Sequence, residues 1–386
     1  MMENILSKLI SNQSFKMDSD DCELCKKIIV SPFTEKEKLM KDFQFLWRKY
    51  DLGLLLKIVY LQQLQSGFIL ANPLDYSKAG NQKRFYDSLT GIHFLIQWNP
   101  ERALRKKHQL LIQRGIIQDD IDKTKLVNLD KNGIPCYLCK ENIDLQNPKE
   151  VVIPVKLGGE QFYLGANFAS ISDNHFTIFN QKHRPQEYRK DIFRVMMDFL
   201  NQCYGSFRII YNGLAGASIQ AHEHFQTTSI CFPIESINYS SKDYFLNSTD
   251  LRIIQPKYYL PLWIVEGTNQ SKLISVIDYL IRQWHLQKPD EHTENILGVR
   301  INSSFRFFIF LRERKMLRTP EHTAALATFE MSGLFVFSEF LKRKKSGKSE
   351  KDFFSLITLD IIKNMLKKIA PVDNLILDNE KMLKNI

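Results

Sequence analysis

The chain has 386 residues, 44% of them hydrophobic and 25% charged, with a formal net charge of +10. This is the balance of an ordinary water-soluble globular protein with a large core and room for two or three modules, and no apolar stretch is long enough to span a membrane. The charge points to an anionic partner, but the lysines are scattered and form no basic stripe interleaved with aromatics, so nucleic acid is not expected; a nucleotide or sugar phosphate accounts for the excess equally well.

In chain order, Met1–Ile10 carries Glu3 and Lys8 and lacks the charged-then-apolar order of a signal peptide, so a cytoplasmic location is expected. Cys22 and Cys25 form a first Cys-x-x-Cys pair beside the acidic run Asp18–Asp21. Lys38–Leu64 is apolar at helical spacing and predicts one or two helices, making 1–90 an N-terminal helical segment. Ile92–Trp98 alternates as a strand does, and the basic stretch Asn99–Lys107, with Arg102 and Arg105, follows at once. A polar connector, Thr124–Asn132, leads to the second pair, Cys136 and Cys139. Six cysteines in a chain of this size do not make a disulfide scaffold, and in a reducing compartment such pairs suggest metal before disulfide.

Strands are predicted at Val151–Leu157, Gln161–Leu164 and His175–Asn180, and a helix over Gln186–Tyr204. The β-branched and aromatic stretches Phe207–Tyr211 and Thr227–Phe232 then flank the loop Asn212–Ser218 and the run His222-Glu223-His224-Phe225-Gln226. Beyond it the theme recurs more loosely, with strand Leu260–Val265, helix Leu273–Leu286, strands Leu297–Asn302 and Phe305–Leu311, a strand Ala327–Phe337 and a helix near Leu359–Ile369. The basic run Lys342–Lys345 reads as a solvated loop. The expected fold is α+β with mostly antiparallel sheet and flanking helices, one compact unit of two related halves covering 91–240 and 241–386.

On a strand, side chains alternate faces, so His222, His224 and Gln226 are expected to point one way and Glu223 and Phe225 the other. Two imidazoles and a primary amide on one face beside a glycine loop suit work on a phosphate: an imidazole attacks phosphorus, an amide donates to a phosphoryl oxygen, and backbone N–H groups cradle charge. Cys203, Cys231, Phe94 and Trp98 are read as core, and His175 as structural.

The motif His222-x-His224-x-Gln226 after an Asn-Gly loop resembles the histidine-triad superfamily, and more closely its transferase branch of galactose-1-phosphate uridylyltransferases, dinucleoside tetraphosphate phosphorylases and GDP-hexose phosphorylases. Other stretches resemble that branch too: Asn99-Pro100-Glu101-Arg102, Pro135–Cys139, the passage from His175 to Gln186 that contains His183, and Phe329-Glu330-Met331-Ser332-Gly333. The two halves would then each be like a histidine-triad unit, the first catalytic and the second supporting binding.

The resemblance implies His224 as nucleophile, forming a covalent histidine–nucleotide intermediate, and Gln226 as donor to the phosphoryl oxygen. Asn212, Gly216 and Ser218 would form the phosphate loop, and Arg102 and Arg105 would bind further phosphate oxygens. Cys136, Cys139, His183 and His222 are the implied ligands of a structural zinc, with Cys22/Cys25 the competing pair. The implied activity is nucleotidyl transfer or phosphorolysis on an NDP-hexose or dinucleoside polyphosphate, with phosphate or a sugar phosphate as acceptor, in a chain that could form a homodimer. The alternatives are a hydrolase of the same superfamily and an inactive nucleotide-binding regulatory protein.

Overall fold

Near the N-terminus, Asp18 and Asp51 cap the first and third helices. In the computed structural model, which describes residues 17–32, 35–70, 81–314, 325–338, 350–372 and 375, α1 is Ser19–Val30, α2 Lys36–Trp47 and α3 Leu52–Gln65. Lys38–Leu64 divides at Asp51, whose carboxylate accepts from Leu54 N at 3.0 Å and starts α3 afresh. Met1–Ile10, Lys342–Lys345 and His322 lie outside the described residues, as does the side chain of Arg105.

The strands are β1 Gln82–Asp87, β2 Ile92–Trp98, β3 Val152–Leu157, β4 Glu160–Ala166, β5 Phe176–Asn180, β6 Arg208–Asn212, β7 His224–Thr228, β8 Tyr244–Asn247, β9 Leu251–Ile254, β10 Leu262–Gly267, β11 His292–Ile301, β12 Ser304–Glu313 and β13 Leu334–Phe337. The remaining helices are α4 His108–Gln113, α5 Lys140–Gln146, α6 Ile192–Gln202, α7 Gln270–Gln287, α8 Thr328–Met331, α9 Glu350–Ser355 and α10 Leu359–Lys368.

Ten strands form one sheet in the order β3-β4-β5-β7-β6-β11-β12-β10-β9-β8. Read from its centre outwards the sheet repeats itself. Three strands, a helix and a hairpin (β3–β5, α6, β6–β7) are matched by β8–β10, α7 and β11–β12, and the halves meet where β6 pairs antiparallel with β11. The α+β class with mostly antiparallel sheet is the one the sequence predicts.

Helices α3, α6 and α7 bury their apolar side chains on one face of this sheet, against Phe225, Phe307 and Ile309 among others. The opposite face is covered in two separate places. A three-stranded sheet, β1-β2-β13, packs with α10 on Ile210, Leu297, Phe308 and Phe310, while the turn around Cys136, Leu138 and Cys139 packs on Phe179. His224 and Gln226 lie on the strip between these covers, because Phe179 pairs with His224 and Ile210 with Gln226. Strand β13 pairs parallel with β2, so a segment from beyond the second half completes the small sheet begun before the first.

Three expectations are corrected. The helix predicted over Gln186–Tyr204 begins only at Ile192, because the side chains of Arg184, Gln186 and Arg189 are all engaged elsewhere and hold the preceding chain irregular. Ala327–Phe337 is not one strand. Glu330 caps Ala327 N at 2.9 Å to make a helical turn, and Gly333, at φ 93°, reverses the chain into β13. Cys231 is exposed beside the Arg208 guanidinium because β7 already ends at Thr228; Cys203 and Phe94 are core as expected. Among the described residues no helix is long and apolar enough to cross a membrane.

Candidate functional site

Strand β6 ends at Asn212 and β7 begins at His224, and the loop between them is held tightly. Gly213 donates to the carbonyl of Glu294 at 2.9 Å, and Leu214 N donates to Thr293 Oγ1 at 3.0 Å. A Cβ on Gly213 would meet both partners at 2.4 Å, so only glycine lets the loop approach β11 this closely. The Asn212 side-chain oxygen accepts from Asn295 Nδ2 at 2.7 Å, Thr328 Oγ1 at 2.7 Å and Thr328 N at 3.1 Å, which leaves its amide N–H groups as what it can offer a ligand. Gly216 packs against the same group, where a Cβ would meet Asn295 Nδ2 at 2.6 Å. Ser218 is exposed on the loop.

Alternation along β7 sends Phe225 into the core and leaves His224 and Gln226 on the opposite face. His222 differs from expectation: it stands on the bend before the strand, and its ring turns towards the two cysteines. His224 is 4% exposed, and its Nδ1 lies 2.8 Å from the His222 carbonyl oxygen. A carbonyl only accepts, so Nδ1 carries the proton and Nε2 keeps a lone pair. Burial lowers the His224 pKa below the ordinary histidine value, which favours the neutral ring.

His175 is fully buried next to this strip. Ile171 N donates to its Nδ1 at 3.1 Å, so the proton sits on Nε2, and the Phe329 ring packs edge-on against it at 5.3 Å. Burial lowers its pKa to about 3, helped by the nearby Arg102 guanidinium and opposed by the Gln226 side chain. Arg102 itself donates to the Ala169 carbonyl, and Asn99 Nδ2 donates to the Ser170 carbonyl at 3.2 Å, so the basic turn docks on the loop that precedes His175. Arg102, His175 and Gln226 are thereby brought together.

The four expected metal ligands converge. The ligand atoms of Cys136, Cys139, His183 and His222 all lie within 4.8 Å of one another. His222 Nδ1 is 3.4 Å from Cys136 Sγ and 3.7 Å from Cys139 Sγ, and His183 Nδ1 is 3.4 Å from Cys139 Sγ, against about 3.5 Å for the N–S edge of a tetrahedral zinc site. His222 Nε2 lies 2.7 Å from the Asn180 carbonyl, the outer hydrogen bond that orients a ligating imidazole. These residues fit a metal. Among the described residues Cys22 and Cys25 are part of no such group: Cys25 is a core thiol of α1 whose pKa burial pushes up to about 12.

The role of Glu223, obscure in the sequence, is visible here. Fully buried, it accepts from Arg184 Nε at 2.9 Å, Arg189 Nη2 at 2.7 Å and Asn180 Nδ2 at 2.8 Å, clamping the segment that carries His183 onto the motif. Gln186, Asn295 and Thr328 also shape the site. Thr328 could have been suspected from its place just before the Phe329–Gly333 stretch, and Gln186 from its place just after His183; Asn295 gave no signal. Of the second-half histidines, His285 pairs with Glu294 at 2.6 Å, and His292 stacks on Trp284 at 3.5 Å.

Comparison with known proteins adds three findings. The model of a family described as a domain of unknown function, DUF4922, matches residues 74–229. Galactose-1-phosphate uridylyltransferase of Halalkalibacterium halodurans is 25% identical over 226 residues, 52% of this chain and 43% of that enzyme. The Bacillus subtilis enzyme is 26% identical over 170 residues, 40% of this chain and 32% of its own length. The matched stretch thus spans less than half of either relative. In fold, the chain superposes on yeast Ap4A phosphorylase Apa2 in complex with Ap4A with a TM-score of 0.51 at 12% identity, covering 83% of this chain and 97% of that one. In sequence the chain is thus similar to galactose-1-phosphate uridylyltransferases, and in fold to the Ap4A phosphorylase.

Proposed function

We propose that the protein is a nucleotidyltransferase that moves a nucleoside monophosphate from an NDP-hexose or a dinucleoside polyphosphate to phosphate or a sugar phosphate. His224 Nε2 attacks the α-phosphorus. The bond to the bridging oxygen breaks, its electron pair leaves with the departing phosphate, and the nucleotide stays on the ring as a phosphoramidate. An acceptor phosphate oxygen then attacks the same phosphorus and releases His224. The leaving group is a weak base, so no strong general acid is required.

Gln226 donates its amide to a non-bridging oxygen, the Asn212 amide and the N–H groups around Gly216 and Ser218 meet the remaining charge, and Arg102 and Arg105 bind the further phosphates. Cys136, Cys139, His183 and His222 hold a structural zinc, which would brace the chain beside His224. The observation that carries this reading is the Nδ1 contact of His224 with the His222 carbonyl, which leaves a neutral Nε2 lone pair on the strip shared with Gln226 and Asn212.

The test is incubation with labelled NDP-sugars and dinucleoside polyphosphates, with and without phosphate, and mass spectrometry of the acid-labile adduct. Label on His224 that is discharged by phosphate supports the proposal. Discharge by water alone would make the protein a hydrolase, and tight binding without label or product a regulatory nucleotide-binding protein. Label on His222 or His175 would overturn the mechanism.

A further inference from the structure

Strands β6 and β7 pair regularly through Arg208↔Thr228, Ile209↔Thr227 and Ile210↔Gln226, and there the ladder stops. Continued in register, it would set Asn212 directly opposite His224 on the same face, with backbones about 4.8 Å apart. A side chain stands between them instead. Gln186, fully buried, accepts from His224 N at 2.7 Å through Oε1, and its Nε2 donates to the His224 carbonyl at 3.0 Å and the Asn212 carbonyl at 2.9 Å. Its own backbone N–H donates to the Gln220 carbonyl at 2.8 Å, so the residue is also tied to the loop it fills.

A primary amide carries the same donor and acceptor as a peptide group. Gln186 satisfies both main-chain groups of His224 that would otherwise seek β6, and it places two hydrogen bonds in series where the ladder would have one. The backbones of His224 and Asn212 are therefore held further apart than adjacent strands stand, while their side chains keep a common face.

We infer that Gln186 is a positioning residue that sets the gap between the His224 imidazole and the Asn212 amide, opening a space for one phosphoryl group. The inference rests on the proposed role of His224. Loss of the spacer lets β7 close on β6 and moves the ring relative to the phosphorus. Substrate held by its base and outer phosphates still binds.

Two variants test this. Gln186→Met keeps the length of the side chain and removes all of its side-chain hydrogen bonds. Gln186→Glu is isosteric, keeps the acceptor for His224 N and loses both donor bonds. In each, the single-turnover rate of adduct formation on His224 and kcat should fall about 100-fold, as for a nucleophile displaced by an ångström, with nucleotide Kd within about threefold of wild type and metal content unchanged. Gln186→Glu provides the measurement should Gln186→Met not fold. A wild-type adduct rate in Gln186→Glu would overturn the inference, as would kcat and affinity falling in proportion. Absence of any adduct in the wild-type protein would overturn the proposed function itself, an outcome distinct from both.

Discussion

At His224 a single hydrogen bond and its surroundings set the chemistry together. The His222 carbonyl fixes the proton on Nδ1, while burial disfavours a second proton on Nε2. The folded-state pKa is therefore lower than that of an unfolded histidine, and the ring stays neutral, with its Nε2 lone pair available, at a pH where a free imidazole would be half protonated. An NMR titration of the free protein should give His224 a midpoint clearly below 6.5; a midpoint at or above that value would contradict the burial argument. The sign carries over to stability. Above pH 6.5 neither state binds the proton and the ring contributes no pH dependence, whereas below it the unfolded chain protonates first and the folded state loses stability as pH falls towards the folded pKa. His175, with its pKa lowered to about 3, acts in the same direction.

Between strands, the segment from Asn180 to Arg189 does most of the positioning. It supplies the Asn180 carbonyl to His222, the His183 ring to the cysteine cluster, Gln186 to His224, and Arg184 and Arg189 to the buried Glu223. A metal at the cluster would tie this segment to the turn at Cys136–Cys139 without touching His224. Purified protein should carry about one zinc per chain, and changing Cys136 and Cys139 to serine should remove it and lower the melting temperature, while changing Cys22 and Cys25 should leave the metal in place. Metal analysis that finds no zinc, or loss only with the early pair, would reject the site. Much of this was legible in the residues: Cys-x-x-Cys spacing, the His-x-His alternation and the glycine loop each carry a local signal. What was not legible was the irregular chain before α6, where amphipathic spacing suggested a helix already running from Gln186. The side chains of Arg184, Gln186 and Arg189 reach partners in or beside the motif, more than thirty residues away from the first and last of them, and no local propensity encodes such contacts. The position of His222 off the strand was missed for the same reason, since periodicity cannot anticipate a ring drawn aside by distant cysteines.

Across the molecule the site depends on both halves. The proposed division at 240/241 leaves His224, Gln226 and the cysteine cluster in the first part, but Asn295 and Thr328, two donors to the Asn212 oxygen, in the second. The second part also supplies β11, which pairs with β6, and β13, which completes the sheet over β2. A fragment of residues 1–240 alone would expose β6 as an unpaired edge together with apolar side chains such as Ile210, which pairs with Leu297, and Phe193, whose ring packs on Phe307 in the intact chain. The Asn212 side chain would also be free to rotate away from the site. This fragment should therefore aggregate or melt without a cooperative transition, and it should bind nucleotide weakly even if zinc is retained. Co-expression with residues 241–386 should restore a soluble 1:1 complex and the transfer reaction, because the break falls in a connection between β7 and β8 rather than inside a strand. Gel filtration, calorimetry and the adduct assay on the two preparations provide the check. A monomeric 1–240 fragment that unfolds cooperatively and labels His224 at the wild-type rate would show that the second half is dispensable, and that Asn212 is held by something other than Asn295 and Thr328.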